Sequence, residues 1–454
     1  MSATSGIWVL LALVMMLMSL QRPAWAVGLY MQTFFAAPQL WWWGKEVPSM
    51  RYALVAGFVL AGAVVLKMAQ SGSSEDRAGM VRGAALGIGV NATLVHLFLA
   101  GNPRISLDDY TETMKFVLLF FLIDKSIKDR SDFRLVTMAI ALGSAYIGWE
   151  VTVNGRGDFS GSRLEGVGAP AADTSNGLAC VMLVVLPVVG SLFIGGTRIE
   201  RLTVLLAAPL TLNVLLLCNS RGAFLGLVGS GLAFLLLARG PTRKKALWTL
   251  ALGAVALYLL LGDPKILDRF ETTFVGGEDR DNSASSRLVF WAAGFRMLQD
   301  YPLGAGGGAF KFVYATRYLR EVGSDENARS LHNGYLTDAT DWGIQGLSLK
   351  LLFIFAATFA ALRTVKRARL DARHDDAIVG LCLVVATVGY LIASVFGSYL
   401  NNEWGYWIVA LTTGYARVYA LPVVSTSAAS TQVTADVPPP KIEDRRAAYR
   451  PAHP

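Results

Sequence analysis

Histidine is scarce in this chain of 454 residues, and its four histidines lie in different surroundings. His374 lies in a charged loop, His453 in a polar tail and His96 inside an apolar run. His332 directly precedes an apolar run, at the point where a helix is expected to begin. A neutral imidazole in that position can take a proton from a hydroxyl near pH 7. We predict that His332 is a general base; the alternative is a residue that caps or packs the helix.

Two arginines follow serines at the expected starts of helices. Arg221 follows Ser220 at the beginning of an apolar run, and Arg287 follows Ser286 before an amphipathic segment. Free backbone N–H groups, the positive end of the helix dipole and a guanidinium fork together bind an anion such as phosphate or diphosphate. We predict that both arginines contribute to such a site. Alternatively, Arg221 reaches to the membrane interface, and Arg287 pairs with Asp281.

Two weaker signals lie in polar segments between apolar runs. Arg163, in segment 154–174, could bind the same anion or be an ordinary solvated charge. The tryptophan run at 41–43 is typical of the aromatic belt at a membrane interface, with contact to a lipid or a sugar face as the alternative. Both segments are expected on the same side of the membrane as the anion site.

The patterns that indicate metal or nucleotide binding are lacking. The cysteines lie far apart in apolar runs, so neither a zinc site nor a disulfide framework is predicted. The glycine cluster at 304–309 has no strand before it and no GK[ST] after it, which argues against a nucleotide site. The pair Asp108 and Asp109 has no partner histidine. We therefore expect no metal and no cofactor.

The elements that must position these side chains are membrane helices. The chain is 54% hydrophobic and 16% charged, and runs without charge, such as 202–218 and 223–238, approach the roughly 20 residues that cross a bilayer. The pattern predicts an all-α, polytopic transmembrane bundle of about twelve spans. The net charge of +8 collects in short loops, and no basic stripe with aromatic residues indicates nucleic-acid binding.

The basic loops predict the orientation. Loops 125–134, 197–201, 239–245 and 363–373 are basic and fall on one side, which the positive-inside rule assigns to the cytoplasm. The predicted organisation is membrane helices in 1–262, one large exterior loop with short helices in 263–333, membrane helices in 334–421 and a disordered cytoplasmic tail in 422–454. The loop contains an amphipathic helix that begins at Arg287, after a flexible polar tract at 276–286.

Taken in order, these residues resemble the O-antigen ligase and polymerase superfamily. The matching features are an SRG-type turn at 220–222, Arg287 with Trp291, the turn 300–306, the HN-x-Y-like 332–335, and Gly343 after Trp342. The chain departs from the family in Tyr301, where a histidine is common before the proline. Residues 163–166 and 176–179 resemble an upstream family segment less cleanly. The similarity covers about residues 155–345.

The resemblance implies an enzyme of the bacterial inner membrane with a periplasmic active site. Family members transfer a glycan from undecaprenyl diphosphate to lipid A–core, to a growing glycan or to protein serine and threonine. We favour the first, an O-antigen ligase, because the exterior loop is single and moderate in length; a polymerase and a protein O-oligosaccharyltransferase are the alternatives. The partners expected are this lipid-linked donor, a hydroxyl acceptor and membrane lipids.

The implied mechanism assigns roles to individual residues. His332 deprotonates the acceptor hydroxyl, and Arg221 with Arg287 stabilises the leaving diphosphate without a metal, with inversion at the anomeric carbon. The residues expected to contact substrate are Arg163, Trp291, Asn333 and Tyr335. A transporter of the lipid-linked glycan is the rival, but it would require polar residues in the middle of the bilayer, where the apolar runs here are largely free of charge.

Overall fold

The computed structural model of the protein describes residues 2–69, 78–160, 163–168, 174–241, scattered positions between 243 and 255, and 278–420. The described chain is mostly helical, as the apolar runs predict. Its α-helices include α1 (Ala3–Ser19), α2 (Pro23–Phe35), α3 (Tyr52–Ala69), α4 (Gly79–Phe98), α5 (Pro103–Ser126), α6 (Arg130–Thr152), α7 (Ser175–Phe193), α8 (Arg198–Leu217), α9 (Arg221–Leu237), α10 (Glu278–Asp300), α11 (Ala315–Glu321), α12 (Gly334–Leu370), α13 (His374–Ala393) and α14 (Glu403–Val418). A hairpin of β1 (Asp158–Ser160) and β2 (Arg163–Glu165) follows α6.

The apolar helices make this chain a membrane protein. Within the described residues, six helices are long and apolar enough to cross a bilayer, namely α4, α6, α7, α8, α12 and α13. Three shorter helices, α1, α3 and α9, are apolar as well. Large side chains such as Phe58, Phe98 and Leu236 point away from the protein, as lipid-facing residues do. The total of about twelve spans stays a prediction, and much of the predicted segment 245–262 lies outside the described residues.

The structure corrects one expectation, the start of the amphipathic helix. Helix α10 begins at Glu278 and not at Arg287, so the described part of the polar tract 276–286 is helical. Arg287 therefore lies inside the helix, where the backbone N–H groups bond to the preceding turn and are not free for an anion. Ser286 is not a cap. The guanidinium of Arg287 remains a candidate ligand, but the helix start that was expected beside it is wrong.

Ion pairs join the helices at one end of the bundle, which we call the basic end. Arg130 at the start of α6 pairs with Asp376 at the start of α13 at 2.8 Å. Arg134 reaches Glu200 in the first turn of α8 at 2.6 Å. The Nη2 atom of Arg369, near the end of α12, donates to the last carbonyl of α9 at 2.6 Å. The structure thus gathers basic loops that were predicted to share one side of the membrane.

The opposite end of the bundle, which we call the site end, holds the loops with the predicted functional residues. Asn213 near the end of α8 donates to Thr152 at the end of α6 at 2.8 Å. The backbone N–H of Gly334, which begins α12, donates to the carbonyl of Ser394 at 2.7 Å. The start of α9 packs on Phe396, which follows α13. The periplasmic assignment of this end stays a prediction.

The glycine cluster has a structural place at the site end. Helix α12 is interrupted at Gly343, which has φ of 82°, and the turn that precedes the cluster packs against this break. The N–H groups of Ala305 and Gly306 donate to carbonyls in the second turn of α12 at 3.0 and 2.9 Å. Gly304 has φ of 93°, and a Cβ atom there would lie 2.5 Å from the nitrogen of Gly343. Only glycine fits so strained and close a position.

Candidate active site

The start of α9 places Arg221 at the site end. The Ser220 side chain caps the helix by accepting from the N–H of Ala223 at 3.5 Å, as the sequence predicts. Gly222 is needed for this geometry, because a Cβ atom there would lie 2.8 Å from Cβ of Phe396. The backbone is thereby held against the loop that joins α13 and α14. Arg221 is the first residue of this fixed helix end, and it is exposed.

Arg287 brings the three predicted arginines together. Its pKa is lowered first by burial and then by the charge of Arg163, with Arg221 contributing in the same direction. Tyr399 acts in the opposite direction. Guanidinium groups that influence one another in this way lie in one neighbourhood, although their residues are far apart in sequence. We call Arg163, Arg221 and Arg287 the arginine cluster.

The arginine cluster differs from several arginines of the basic end in how its charges are compensated. At the basic end, Arg130, Arg134 and Arg417 each pair with a carboxylate. Among the residues that the structure describes, no carboxylate lies within ion-pair distance of any member of the arginine cluster. Arg163 and Arg287 are partly buried and Arg221 is exposed, so the cluster offers positive charge that an anionic ligand can neutralise.

His332 lies between a buried residue and a helix cap. Leu331 before it is 1% exposed, and the Asn333 side chain after it accepts from the N–H groups of Tyr335 and Leu336 at 3.0 and 3.1 Å. His332 itself has φ of 49°, in the left-handed region that non-glycine residues seldom adopt. Such strain persists where the surroundings enforce it and is common at functional sites.

The surroundings of His332 favour the neutral form of its imidazole. Its pKa is lowered first by burial, and then by the positive charges of Arg287, Arg329 and Lys311. The Nδ1 atom lies 3.3 Å from Oγ of Ser330, within reach of a hydrogen bond. Because Arg287 acts on His332 and is itself influenced by Arg163 and Arg221, the structure places the predicted base and the arginine cluster in the same region of the site end.

The other predicted substrate-binding residues have partners within the protein. The indole Nε1 of Trp291 donates to the carbonyl of Leu331 at 3.1 Å. The hydroxyl of Tyr335 donates to the carbonyl of Leu391, near the end of α13, at 2.8 Å. Asn333 caps α12, as described above. These contacts hold the loop that carries His332, and contact of the three side chains with substrate stays a prediction.

Three residues of the site were missed by sequence reasoning. Arg329 and Lys311 influence His332, and burial raises the pKa of Tyr399 while Arg287 and Arg163 lower it. The lysine and arginine could have been found as basic residues within the predicted exterior loop. Tyr399 gave no local signal, because its proximity to the arginine cluster arises only from the packing of the α13–α14 loop.

His96 and Asp109, which the sequence did not assign to the site, have defined surroundings. Nδ1 of His96 lies 3.0 Å from Oγ of Ser106, and its ring stacks on Tyr110 with centroids 4.6 Å apart, so it is a buried packing residue. Asp109 lines a cavity of about 180 Å³ together with seven other polar residues, Asp341 among them. Within the described chain, no three histidine, cysteine or acidic side chains are grouped as ligands of a metal ion.

A comparison with known families identifies one that part of this chain resembles. Residues 202–351 match the O-antigen ligase family. The resemblance inferred from the motifs is therefore confirmed for this segment, which contains Arg221, Arg287 and His332. A related sequence is the teichuronic acid biosynthesis protein TuaE of Bacillus subtilis (strain 168), which is 25% identical over 199 residues. That alignment covers 42% of this chain and 39% of the relative, so the chain matches well under half of the relative's length.

Proposed function

We propose that this protein is a membrane glycosyltransferase of the O-antigen ligase type. It moves a glycan from undecaprenyl diphosphate to a hydroxyl of lipid A–core, on the periplasmic side of the inner membrane. The observation that carries the proposal is the arginine cluster, which has no carboxylate partner among the described residues and lies beside His332, whose pKa is lowered. The family match over residues 202–351 supports the same reaction class.

The arginine cluster suits a diphosphate leaving group. When the bond between the anomeric carbon and the diphosphate oxygen breaks, the bonding electrons remain on that oxygen. Fixed guanidinium groups aimed at this oxygen stabilise the charge as it develops, which is the largest contribution in many enzymes. Arginine also binds phosphate oxygens through two parallel hydrogen bonds, so Arg221 and Arg287 fix the donor as well as its charge, with Arg163 as a third contact.

His332 suits the role of general base. This role requires the tautomer in which Nδ1 carries the proton next to Oγ of Ser330, so that Nε2 holds the lone pair that accepts the proton of the acceptor hydroxyl. The oxygen then attacks the anomeric carbon from the side opposite the diphosphate, so one C–O bond forms, one breaks, and the configuration inverts. Because burial and the neighbouring cations lower the pKa of His332, the imidazole is neutral and ready to act near pH 7.

Polymerisation of repeat units is the second candidate. The relative from Bacillus subtilis is named for the biosynthesis of teichuronic acid, a polysaccharide, which favours an acceptor hydroxyl on a growing glycan. The arginine cluster and His332 would act identically in that reaction, and likewise on a protein serine or threonine. The acceptor is therefore decided by surfaces outside the reacting groups.

The test uses full-length protein reconstituted in lipid nanodiscs with an undecaprenyl-diphosphate glycan. Lipid A–core, a second donor molecule and a serine-containing peptide are offered in separate reactions, and products are analysed by mass spectrometry. Transfer to lipid A–core is the expected result, and elongation of the donor glycan would identify the polymerase. Movement of intact donor across a liposome membrane without glycan transfer would contradict the proposal and indicate the transporter.

A further inference from the structure

A second polar cleft lies at the site end, where the tryptophan run meets the loop after α6. It has a volume of about 540 Å³, and its walls include Trp42, Glu150, Asn154, Arg156 and Asp158. Gly155 and Gly157 of this loop and Gly166 after β2 also line it, so the backbone itself is accessible there. Neither the arginine cluster nor His332 lines this cleft, which is therefore separate from the candidate active site.

The cleft is built around one buried acid. Glu150, near the end of α6, is 2% exposed, and its Oε2 atom accepts from the indole Nε1 of Trp42 at 3.2 Å. The same oxygen lies 3.5 Å from Nε of Arg156. The Arg156 guanidinium carbon lies 5.2 Å from the centroid of the Trp42 ring. These contacts fix the orientation of the indole while 43% of the Trp42 residue remains exposed.

This combination of side chains suits a sugar ring. A pyranose has a face of C–H groups, which packs on an aromatic ring, and a rim of hydroxyls, which both donate and accept hydrogen bonds. The exposed part of the indole, whose ring also lies against the Arg156 guanidinium, offers the apolar surface, whereas Asn154 and Asp158 offer polar groups beside it that donate and accept. A tryptophan of the interfacial belt needs no such rim, because lipid surrounds its ring.

The β-hairpin connects the cleft to the arginine cluster. Asp158 pairs with Glu165 at the root of the hairpin, beside the cleft, whereas Ser160 pairs with Arg163 two residues further along. At about 3.4 Å per residue, this separates the root from Arg163 by roughly 7 Å along the strand. A glycan held by its diphosphate at the arginine cluster has its further sugars within reach of the cleft.

We propose that this cleft binds sugars of the glycan chain that lie beyond the sugar attached to the diphosphate. The inference rests on the proposed function, because it places the donor diphosphate at the arginine cluster. It assigns to Trp42 the packing against a sugar face, and to Asn154 and Asp158 the hydrogen bonds to its hydroxyls. The cleft thereby selects donors by the length of their glycan, without taking part in the chemical step.

The experiment compares donors that carry one sugar with donors that carry a complete repeat unit. In Trp42→Ala, kcat/KM for the long donor should fall about tenfold, the worth of one well-packed aromatic contact, while kcat/KM for the one-sugar donor stays unchanged. Asn154→Ala and Asp158→Ala change exposed residues, so they test the same cleft without disturbing packing. The matched control is Trp149→Ala, which removes an exposed tryptophan next to Glu150 but outside the cleft.

A binding measurement separates this inference from the proposed function. Free repeat-unit oligosaccharide is titrated into nanodisc-bound protein, and tryptophan fluorescence is compared between the natural chain and Trp42→Phe. A saturable change that depends on Trp42 supports the cleft even if no donor is turned over, an outcome that would contradict the proposed function alone. Equal binding by all cleft variants, or equal losses for short and long donors, would overturn the inference.

Discussion

The indole of Trp291 and the carbonyl of Leu331 are joined by a hydrogen bond of 3.1 Å. This contact ties the middle of α10, one turn beyond Arg287, to the residue that immediately precedes His332. Leu331 also packs near Gly294 of the same helix, where a Cβ atom would lie 2.7 Å from its Cδ2 atom. The position of the base is thus linked to the helix that carries one of the arginines.

Trp291→Phe removes this hydrogen bond and keeps an aromatic ring. We expect turnover to fall about two- to tenfold, because a typical hydrogen bond contributes about 0.5–1.5 kcal/mol and here positions the imidazole. The donor Kd should change little. Trp149→Phe, the same change at an exposed tryptophan, serves as the control. An unchanged kcat in Trp291→Phe would remove the contact from the catalytic geometry.

Burial and, after it, neighbouring cations lower the pKa of His332 and so set the pH dependence that we expect. Its pKa lies below the ordinary 6.5, so activity that needs the neutral imidazole should persist below pH 6.5 and be lost as pH falls through the lowered pKa. Arg329→Gln removes one of the charges that lower this pKa. The acid limb of the kcat profile should therefore move to higher pH.

Arg320→Gln is the control for this shift, because Arg320 is exposed and is not among the charges that act on His332. The two variants are compared by measuring kcat from pH 5 to pH 8, the range in which histidine titrates. An acid limb that moves to lower pH in Arg329→Gln, or moves equally in both variants, contradicts the assignment of His332 as the base.

The sequence was informative where one local pattern decides the structure. The serine before Arg221 predicted its helix cap, and the polar residues before an apolar run predicted the start of α12 beside His332. The predicted start of α10 was wrong, because the polar residues from Glu278 onward have no helical spacing of apolar residues. A helix needs such an apolar face only where it packs against a core.

Long-range packing explains the features that the sequence did not predict. Tyr399 joins the arginine cluster only because the α13–α14 loop folds over the start of α12, and no spacing in the sequence encodes that contact. Similarly, the glycine cluster appeared as a failed nucleotide motif. In the structure its first residue, Gly304, packs against the interruption of α12 at Gly343. Contacts between distant segments depend on the assembled bundle.

Arg287→Lys tests the arginine fork. The positive charge is retained, but an ammonium cannot make two parallel bonds to phosphate oxygens. We expect kcat to fall about 10²-fold, comparable to the loss of one donor at a developing oxyanion. Transfer by the natural chain should persist in EDTA, because the guanidinium groups neutralise the charge. Loss of activity in EDTA, restored by a divalent cation, would refute this mechanism.

The matched control is Arg296→Lys in the same helix, at an exposed position nine residues further along. It carries the same chemical change without contact to the arginine cluster, and its kcat should equal that of the natural chain. If both lysine variants lose activity equally, the effect arises from α10 as a whole and not from recognition of the diphosphate.

The orientation of the bundle can be tested with single cysteines. The three natural cysteines are all buried, so they give little background with an impermeant thiol reagent. Ala328→Cys lies in the loop before His332, and Arg198→Cys lies at the basic end; both positions are exposed. In intact spheroplasts we expect labelling of Ala328→Cys alone. Labelling of Arg198→Cys alone would place the arginine cluster in the cytoplasm.

His332→Ala separates the chemical role of the imidazole from a structural one. If His332 is the base, turnover should fall about 10²–10⁴-fold while the Kd for the lipid-diphosphate donor stays nearly constant, because a base acts mainly in the transition state. If it only packs the loop, thermal stability falls and the surviving protein remains active. His96→Ala is the informative control, since His96 is buried against Ser106 and Tyr110 and should affect stability instead of chemistry. Turnover, donor binding and melting temperature are measured on the same preparations, and full turnover by His332→Ala would remove this residue from the mechanism.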